Sequence, residues 1–381
     1  MKITKINQPP ADPREFDLPK NFNEKHLEDI VEIFQTPLTG SYNWDYTDAD
    51  TRIKKLYELG KELNWNGSID LDWTNGISKD EYPVKSEIVA RMEGILADLP
   101  EEKQLEYMRH DQGWALSQFL HGEQGALLVA SQLVSCAPTY QAKLYAASQT
   151  FDEARHVEVF ARYLQQIHGI EYPINKNLKF LLDKILTDPR WDLKFIGMQI
   201  CIEGLALAAF QTQKETSNCP LLRQLVHYVI RDEARHVTFG VNYLKDFLQT
   251  LSKKELTERA QFAYEACVVM RNRFVNTELP ARFFNISEEE VMEMIDQDET
   301  QIIFRNRLFS RVMPNLKKIG LLTDEMMPLY EKLGLNSFID ADSDFEIDWT
   351  ELNKPLEDSK EVDEQSKQQW KDSQKALHAL S

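Results

Sequence analysis

Glutamate and histidine recur in this chain at a spacing that suits metal binding. Asp152-Glu153-Ala154-Arg155-His156 and Asp232-Glu233-Ala234-Arg235-His236 are the same pentapeptide, and Glu123 and Glu203 each stand thirty residues before the glutamate of one copy. A single offset of eighty maps Glu123 onto Glu203, Glu153 onto Glu233 and His156 onto His236. Glutamate and histidine three residues apart share one face of an α-helix, about one turn apart, so each pair is half of a metal site. Two such halves, with one glutamate from each of two further helices, supply six inward donors for two metal ions between four helices. Carboxylates and imidazoles without thiolates suit iron or manganese more than structural zinc. The expected ligands are therefore Glu123, Glu153, His156, Glu203, Glu233 and His236, holding two iron ions, with a manganese/iron pair as the variant.

The competing reading is a solvated helix stripe, in which acids and bases three apart support an exposed helix only weakly. The flanks argue against it. Ala126-Leu127-Leu128-Val129-Ala130 follows Glu123, and Gly204-Leu205-Ala206-Leu207-Ala208-Ala209-Phe210 follows Glu203. Four carboxylates converging between apolar helices are prohibitively costly without a cation. Asp152 and Asp232 recur in step with the ligands, as do Arg155 and Arg235. A metal-bound histidine commonly gives its other ring N–H to a carboxylate. Asp152 is thus expected to serve His236 and Asp232 to serve His156, each aspartate held by an arginine. Residues about one turn from the ligands, Phe119, Leu127, Phe160, Ile200, Leu207 and Phe239, are expected to line an apolar cavity beside the metals, although ordinary core packing selects the same residue types.

Helices of about thirty residues must carry these groups. Helical periodicity predicts segments at about 84–97, 101–136, 139–168, 190–217, 219–250, 253–280 and 287–318, with breaks at Pro138, Pro173, Pro189, Pro220 and Pro280. The second to fifth carry the ligands, and no segment reads strongly as a strand. Residues 1–80 are rich in Pro, Asn, Asp and Trp with one helix near Asp48 to Leu63, and read as an arm laid over the bundle. Residues 321–381 turn acidic and then polar and read as an extension, leaving 81–320 as the bundle.

At 381 residues the chain can bury one large core. A net charge of −18 argues against nucleic acid as a partner. No N-terminal export signal and no apolar stretch near eighteen residues is evident, which predicts a cytoplasmic protein without a membrane span. Cys136, Cys201, Cys219 and Cys267 lack paired spacing and read as free thiols; Cys201 falls on a different helix face from Glu203.

The doubled motif with its upstream glutamates resembles the ferritin-like di-iron oxygenases. In its paired Asp and Arg it is most similar to the hydroxylase subunits of bacterial multicomponent monooxygenases. The stretch Lys55-Leu56-Tyr57-Glu58 through Asn64-Trp65-Asn66 to Ile69-Asp70-Leu71-Asp72-Trp73 also resembles an N-terminal element of standalone ferritin-like proteins. Those hydroxylases carry a threonine where this chain has Leu207, and the radical-generating subunits of ribonucleotide reductase carry a tyrosine where it has Phe160. The amine N-oxygenases of the superfamily use one more histidine ligand. The nearest candidate, His227, lies six residues before Glu233 on another helix face.

The resemblance implies an all-α, ferritin-like four-helix bundle with additional helices that uses O2 to hydroxylate, N-oxygenate or desaturate a small organic substrate. The alternatives are a manganese/iron ligand-binding oxidase and a non-enzymatic iron-binding protein. No Rossmann glycine pattern or iron-sulfur cysteine set is visible, so electrons are expected from a separate ferredoxin or reductase. A homodimer is also expected.

Overall fold

The computed structural model of the chain describes residues 32–47, 50–90 and 96–340. The expected N-terminal arm is therefore seen only in part, and residues 341–381 of the 321–381 extension lie outside the described residues.

Helix α1, Thr51–Glu62, starts where the Asp50 side chain accepts hydrogen bonds from the backbone N–H groups of Arg52 and Ile53. Helix α2, Glu101–Cys136, begins after Pro100 with two glutamates in its first turn and runs unbroken to Ala137. There Pro138 forbids continuation. Thr139 caps α3, Tyr140–Tyr163, by accepting from the Ala142 N–H, and a π-turn at Leu164–His168 closes the segment at Gly169, whose φ of 78° suits glycine. The predicted 101–136 and 139–168 helices are thus observed, the second with a π-helical end.

The predicted segments leave 169–189 without a helix, yet α4 occupies Lys176–Thr187. Its apolar residues Leu178, Leu181, Leu182, Ile185 and Leu186 have helical spacing and are all buried, and Asn175 caps it. Pro173 and Pro189 bound this helix on either side. Helix α5, Trp191–Thr216, contains a π-helical stretch at Ile196–Ile202 immediately before Glu203. Against the expectation of no such stretch, α5 is long and apolar enough to cross a membrane, but that window is almost wholly buried inside the bundle. Helix α6, Pro220–Leu248, uses proline at its first position. Helix α7, Lys253–Arg273, opens on a capping box between Ser252 and Glu255.

The predicted 253–280 segment ends early, at Arg273, and Glu278–Phe284 forms a separate helix, α8. The predicted 287–318 helix divides into α9, Glu288–Gln297, α10, Glu299–Arg307, and α11, Val312–Lys318. Of the predicted 84–97 helix Ser86–Val89 forms, with Ala90 as its C-cap, and 91–95 lie outside the described residues. Among the described residues no strand forms beyond one isolated bridge between Val84 and Ser217.

Three-residue connections join α2 to α3 and α5 to α6, which makes each pair an antiparallel hairpin. The two hairpins form the bundle, and α1 lies across α3 and α6. Close approach depends on missing side chains. A Cβ at Gly240 of α6 would sit 2.6 Å from the Cβ of Gln199, and one at Gly125 of α2 would sit 2.4 Å from Leu182 of α4. The four cysteines are buried and free, as expected.

Candidate metal centre

Each helix of the two hairpins delivers the residues expected of it to the bundle centre. Glu123 comes from α2, Glu153 and His156 from α3, Glu203 from α5, and Glu233 and His236 from α6; all are buried. They meet as two overlapping clusters. Glu123, Glu153, His156 and Glu233 form one, and Glu153, Glu203, Glu233 and His236 form the other, with the donor atoms of each within 4.8 Å of one another. Glu153 and Glu233 belong to both clusters, so they stand where carboxylates would bridge two ions. Glu123 with His156, and Glu203 with His236, would each serve one.

The histidines turn Nδ1 inward. His156 Nδ1 lies 3.1 Å from Glu123, 3.2 Å from Glu153 and 3.2 Å from Glu233. Its Nε2 lies 3.1 Å from Asp232 Oδ2, and His236 Nε2 lies 3.2 Å from Asp152 Oδ2. The crossed pairing expected from the sequence is present in the geometry. Each arginine spans both aspartates: Arg155 donates to Asp152 and, at 3.2 Å, to Asp232, while Arg235 donates to Asp152 at 3.1 Å and Asp232 at 2.5 Å. Charged partners hold these nitrogens, so a donated Nε2–H would leave the Nδ1 lone pair facing the cluster.

Without a cation the cluster is electrostatically frustrated. Burial, reinforced by Glu233 and opposed by His156, pushes the Glu123 carboxyl up to about 8. Burial and Glu233 push Glu203 well above the usual carboxylate range. For Glu153 burial is outweighed by His236 and His156, and its carboxyl is lowered. Burial would lower both imidazoles, yet Glu123 and Asp232 hold His156 well above its ordinary value, and Glu153 and Asp152 do the same for His236. Protons are thus retained where metal charge would replace them. Glu203 Oε2 and both Glu233 oxygens are buried with no hydrogen bond. Buried carboxylate oxygens left bare at the centre of a hard oxygen and nitrogen donor set fit two divalent ions. Four carboxylates balance two such ions, and the two aspartates balance the two arginines.

Several contacts escaped the sequence reading. Gln149, one turn before Glu153, donates to Glu153 at 3.1 Å and to Glu203 at 2.9 Å, and is itself held by Gln199 at 3.2 Å. Its i−4 spacing from Glu153 was the available signal. Trp65, from the arm, donates Nε1 to Asp232 Oδ2 at 2.7 Å, and Asn64 accepts from Arg155. Their sequence separation from the bundle gave no such indication.

The cavity beside the cluster is lined by Phe119, Gly122, Ala126, Ile202, Ala206, Phe210 and Arg273 together with Glu123, Glu203 and Glu233. Of the six residues expected there, only Phe119 takes part. Leu127 and Leu207 stand four residues after their glutamates, but the cavity faces Ala126 and Ala206, three residues after; one residue turns a helix by about 100°. The π-stretch between Ile200 and Glu203 breaks the regular spacing that would align them, and Ile200 packs toward Gly240. Phe160 lies behind the wall, stacked on Phe210 at 5.7 Å. Phe239 packs away against Tyr145 and Phe195 at 4.4 and 4.9 Å. The lining is also not wholly apolar, because Arg273 enters it. His227 is not in either cluster; its Nδ1 lies 3.0 Å from Lys214 Nζ.

The model of the family described as p-aminobenzoate N-oxygenase AurF matches residues 46–320, a span that contains every residue of the cluster. A search of curated proteins finds no match. Among solved structures, two variants of an R2-like ligand-binding oxidase, one with an anaerobically and one with an aerobically reconstituted Mn/Fe cofactor, superpose with a TM-score of 0.50. Each is 17% identical and covers 74% of this chain and 99% of its own. That likeness extends to the ferritin-like fold. With its doubled Glu-x-x-His centre and a family match over most of its length, the chain is a non-haem di-iron oxidoreductase of the ferritin-like superfamily and belongs to the p-aminobenzoate N-oxygenase AurF family.

Proposed function

We propose that this chain N-oxygenates a small aromatic amine at two iron ions held by Glu123, Glu153, His156, Glu203, Glu233 and His236. The observation that carries the reading is the family match across the segment where four buried carboxylates and two inward-facing imidazoles converge. The first step is R–NH2 + O2 + 2e− + 2H+ → R–NHOH + H2O, with the two electrons supplied by an external ferredoxin or reductase. The iron pair supplies O2 binding and activation. Asp232 and Asp152 fix the tautomer and orientation of His156 and His236, and Arg155 and Arg235 hold those aspartates in place. Gln149 donates to one oxygen each of Glu153 and Glu203 and so orients both carboxylates. Phe119, Phe210, Ala126 and Ala206 exclude water from the cavity. The catalytic unit is the 81–320 bundle with the part of the 1–80 arm that carries Trp65.

A manganese/iron pair suits the same donors. Anaerobic loading with Fe(II), elemental analysis, and exposure to O2, reductant and p-aminobenzoate test both points. About two iron equivalents and a product heavier by one oxygen on nitrogen are expected. Oxygen found on ring carbon, or on no product while both irons are bound, refutes the N-oxygenation.

A further inference from the structure

We propose that the pocket between α2, the turn before α4 and the segment after α7 is the route by which a ring-bearing substrate reaches the metal cavity, and that Phe274 is its gate. The inference deepens the reading above and rests on it for the metal cavity as the place of reaction.

The metal cavity is about 10 Å3, room for one water molecule, so a ring enters only if part of its wall moves. Beside it lies a pocket of about 400 Å3, lined by Trp114, Tyr172, Ile174, Asn272, Val275 and Met292 among others, which reaches the surface at the exposed Asn272. The two spaces share a partition one side chain thick. Asn272 and Val275 line the outer pocket, whereas Arg273, between them in sequence, lines the inner cavity. Along α2, Trp114 faces the outer pocket and Gly122 the inner one. They stand eight residues apart on nearly one helix face, about 12 Å at 1.5 Å per residue. Gln118, midway, fastens both walls. Its carbonyl accepts from Arg273 Nη2 at 3.1 Å, and its side chain donates to the Pro173 carbonyl at 3.0 Å and accepts from the Asn175 N–H at 2.6 Å.

Phe274 closes the partition. Phe119, which lines the cavity, adjoins Phe210 at 4.7 Å, Phe160 at 6.1 Å and Phe274 at 6.3 Å. Phe160 and Phe210 are wholly buried, whereas Phe274 is half-buried, so of these three rings Phe274 is the one that leads from the cavity toward solvent. The Arg273 guanidinium lies over its ring at 5.1 Å. Phe274 is also the first residue past α7, and residues 275–277 join it to α8. A side chain at a helix end can turn without opening the helix behind it. Swinging Phe274 into the outer pocket joins the two spaces and vacates a ring's volume beside Phe119, which is what a planar aromatic substrate needs.

Stopped-flow mixing of the oxidised, iron-loaded protein with phenol and with azide tests this without turnover, since both colour ferric iron on binding and only phenol carries a ring. Filling the outer pocket by Val275→Trp should slow phenol association about tenfold or more and slow its dissociation by the same factor, leaving its Kd and the two iron equivalents unaltered. A residue on the route changes the barrier without touching the bound state, whereas a residue of the binding site changes Kd. Azide association should fall less than phenol's, because passage of the ring is the obstructed step. Ile174→Trp, on the other side of the pocket, should act in the same way and decides the matter should the first variant not fold. Phe274→Ala should speed phenol association several-fold. Phenol rates unchanged in both tryptophan variants, or slower association with unchanged dissociation, overturns the proposal. Slowed entry at constant Kd in a protein that oxidises no amine would refute the proposed reaction and leave the route standing; amine oxidation with unaltered ring entry would do the reverse.

Discussion

Asp232 is the residue through which the arm, both arginines and one metal-facing histidine act together, and Asp232→Asn isolates that role. Its Oδ2 accepts from Trp65 at 2.7 Å, Arg155 at 3.2 Å and His156 at 3.1 Å, and its Oδ1 accepts from Arg235 at 2.5 Å. The carboxylate is held well below its usual range because the charges of Arg235, His156 and Arg155 outweigh its burial. The amide keeps the shape and removes the charge, so Asp152 alone must balance Arg155 and Arg235. Breaking a buried charge pair in this way costs about 3–5 kcal/mol. At about 2.1 cal/mol/K per residue of unfolding entropy, that is a fall in Tm of roughly 5 °C for a chain of this length.

The amide also weakens the acceptor for His156 Nε2–H, and loss of such a partner typically lowers metal affinity about ten- to a hundredfold. Only the ion beside Glu123 and His156 should feel it directly. Fe(II) titration against a chromogenic chelator should then resolve one weakened and one near-normal site. Asp152→Asn should weaken the ion beside Glu203 and His236 instead, and its arm contacts should be intact because Trp65 binds Asp232. Equal weakening of both ions in both variants, or no weakening in either, would refute the crossed pairing as the source of the effect.

Two further outcomes follow from the geometry. Ala206→Phe fills the cavity next to Glu203, so it should block substrate oxidation while both irons remain bound; Leu207→Phe, one residue round the helix, should be much milder, and the opposite order would move the substrate site to the other face. Burial holds the His168 imidazole down to about 4 from 6.5, and its Nε2–H donates to the Arg109 carbonyl at 2.9 Å. The unfolded chain therefore binds the proton more readily, and stability present above pH 6.5 is lost as pH falls toward 4, by up to about 3 kcal/mol. Urea midpoints at pH 5 and pH 7 should differ less in His168→Phe than in the unaltered protein, and an unchanged difference would assign the acid sensitivity to other groups.

The local pattern of this sequence determined the inventory of the centre. Glu-x-x-His is fixed by helix geometry within four residues, and its repetition at a constant offset, with Glu123 and Glu203 upstream, already implied four helices and two ions. The crossed partnership of Asp152 with His236 and Asp232 with His156 was also legible, since pseudo-symmetry leaves few other places for those carboxylates. Helix limits marked by Pro138, Thr139 and Pro220 were readable for the same local reason, whereas α4 was overlooked despite its spacing.

What surrounds the donors depended on tertiary structure. The π-stretch before Glu203 breaks the regular spacing between Ile200 and that ligand, and the helix turn that aims Ala206 at the cavity carries Leu207 away from it. Trp65 and Arg273 reach the centre from segments far away in sequence, and nothing in their own neighbourhoods specifies that destination. Periodicity can assign a residue to a helix face, but only the packing of α1 and α7 against the bundle decides which distant side chain completes that face.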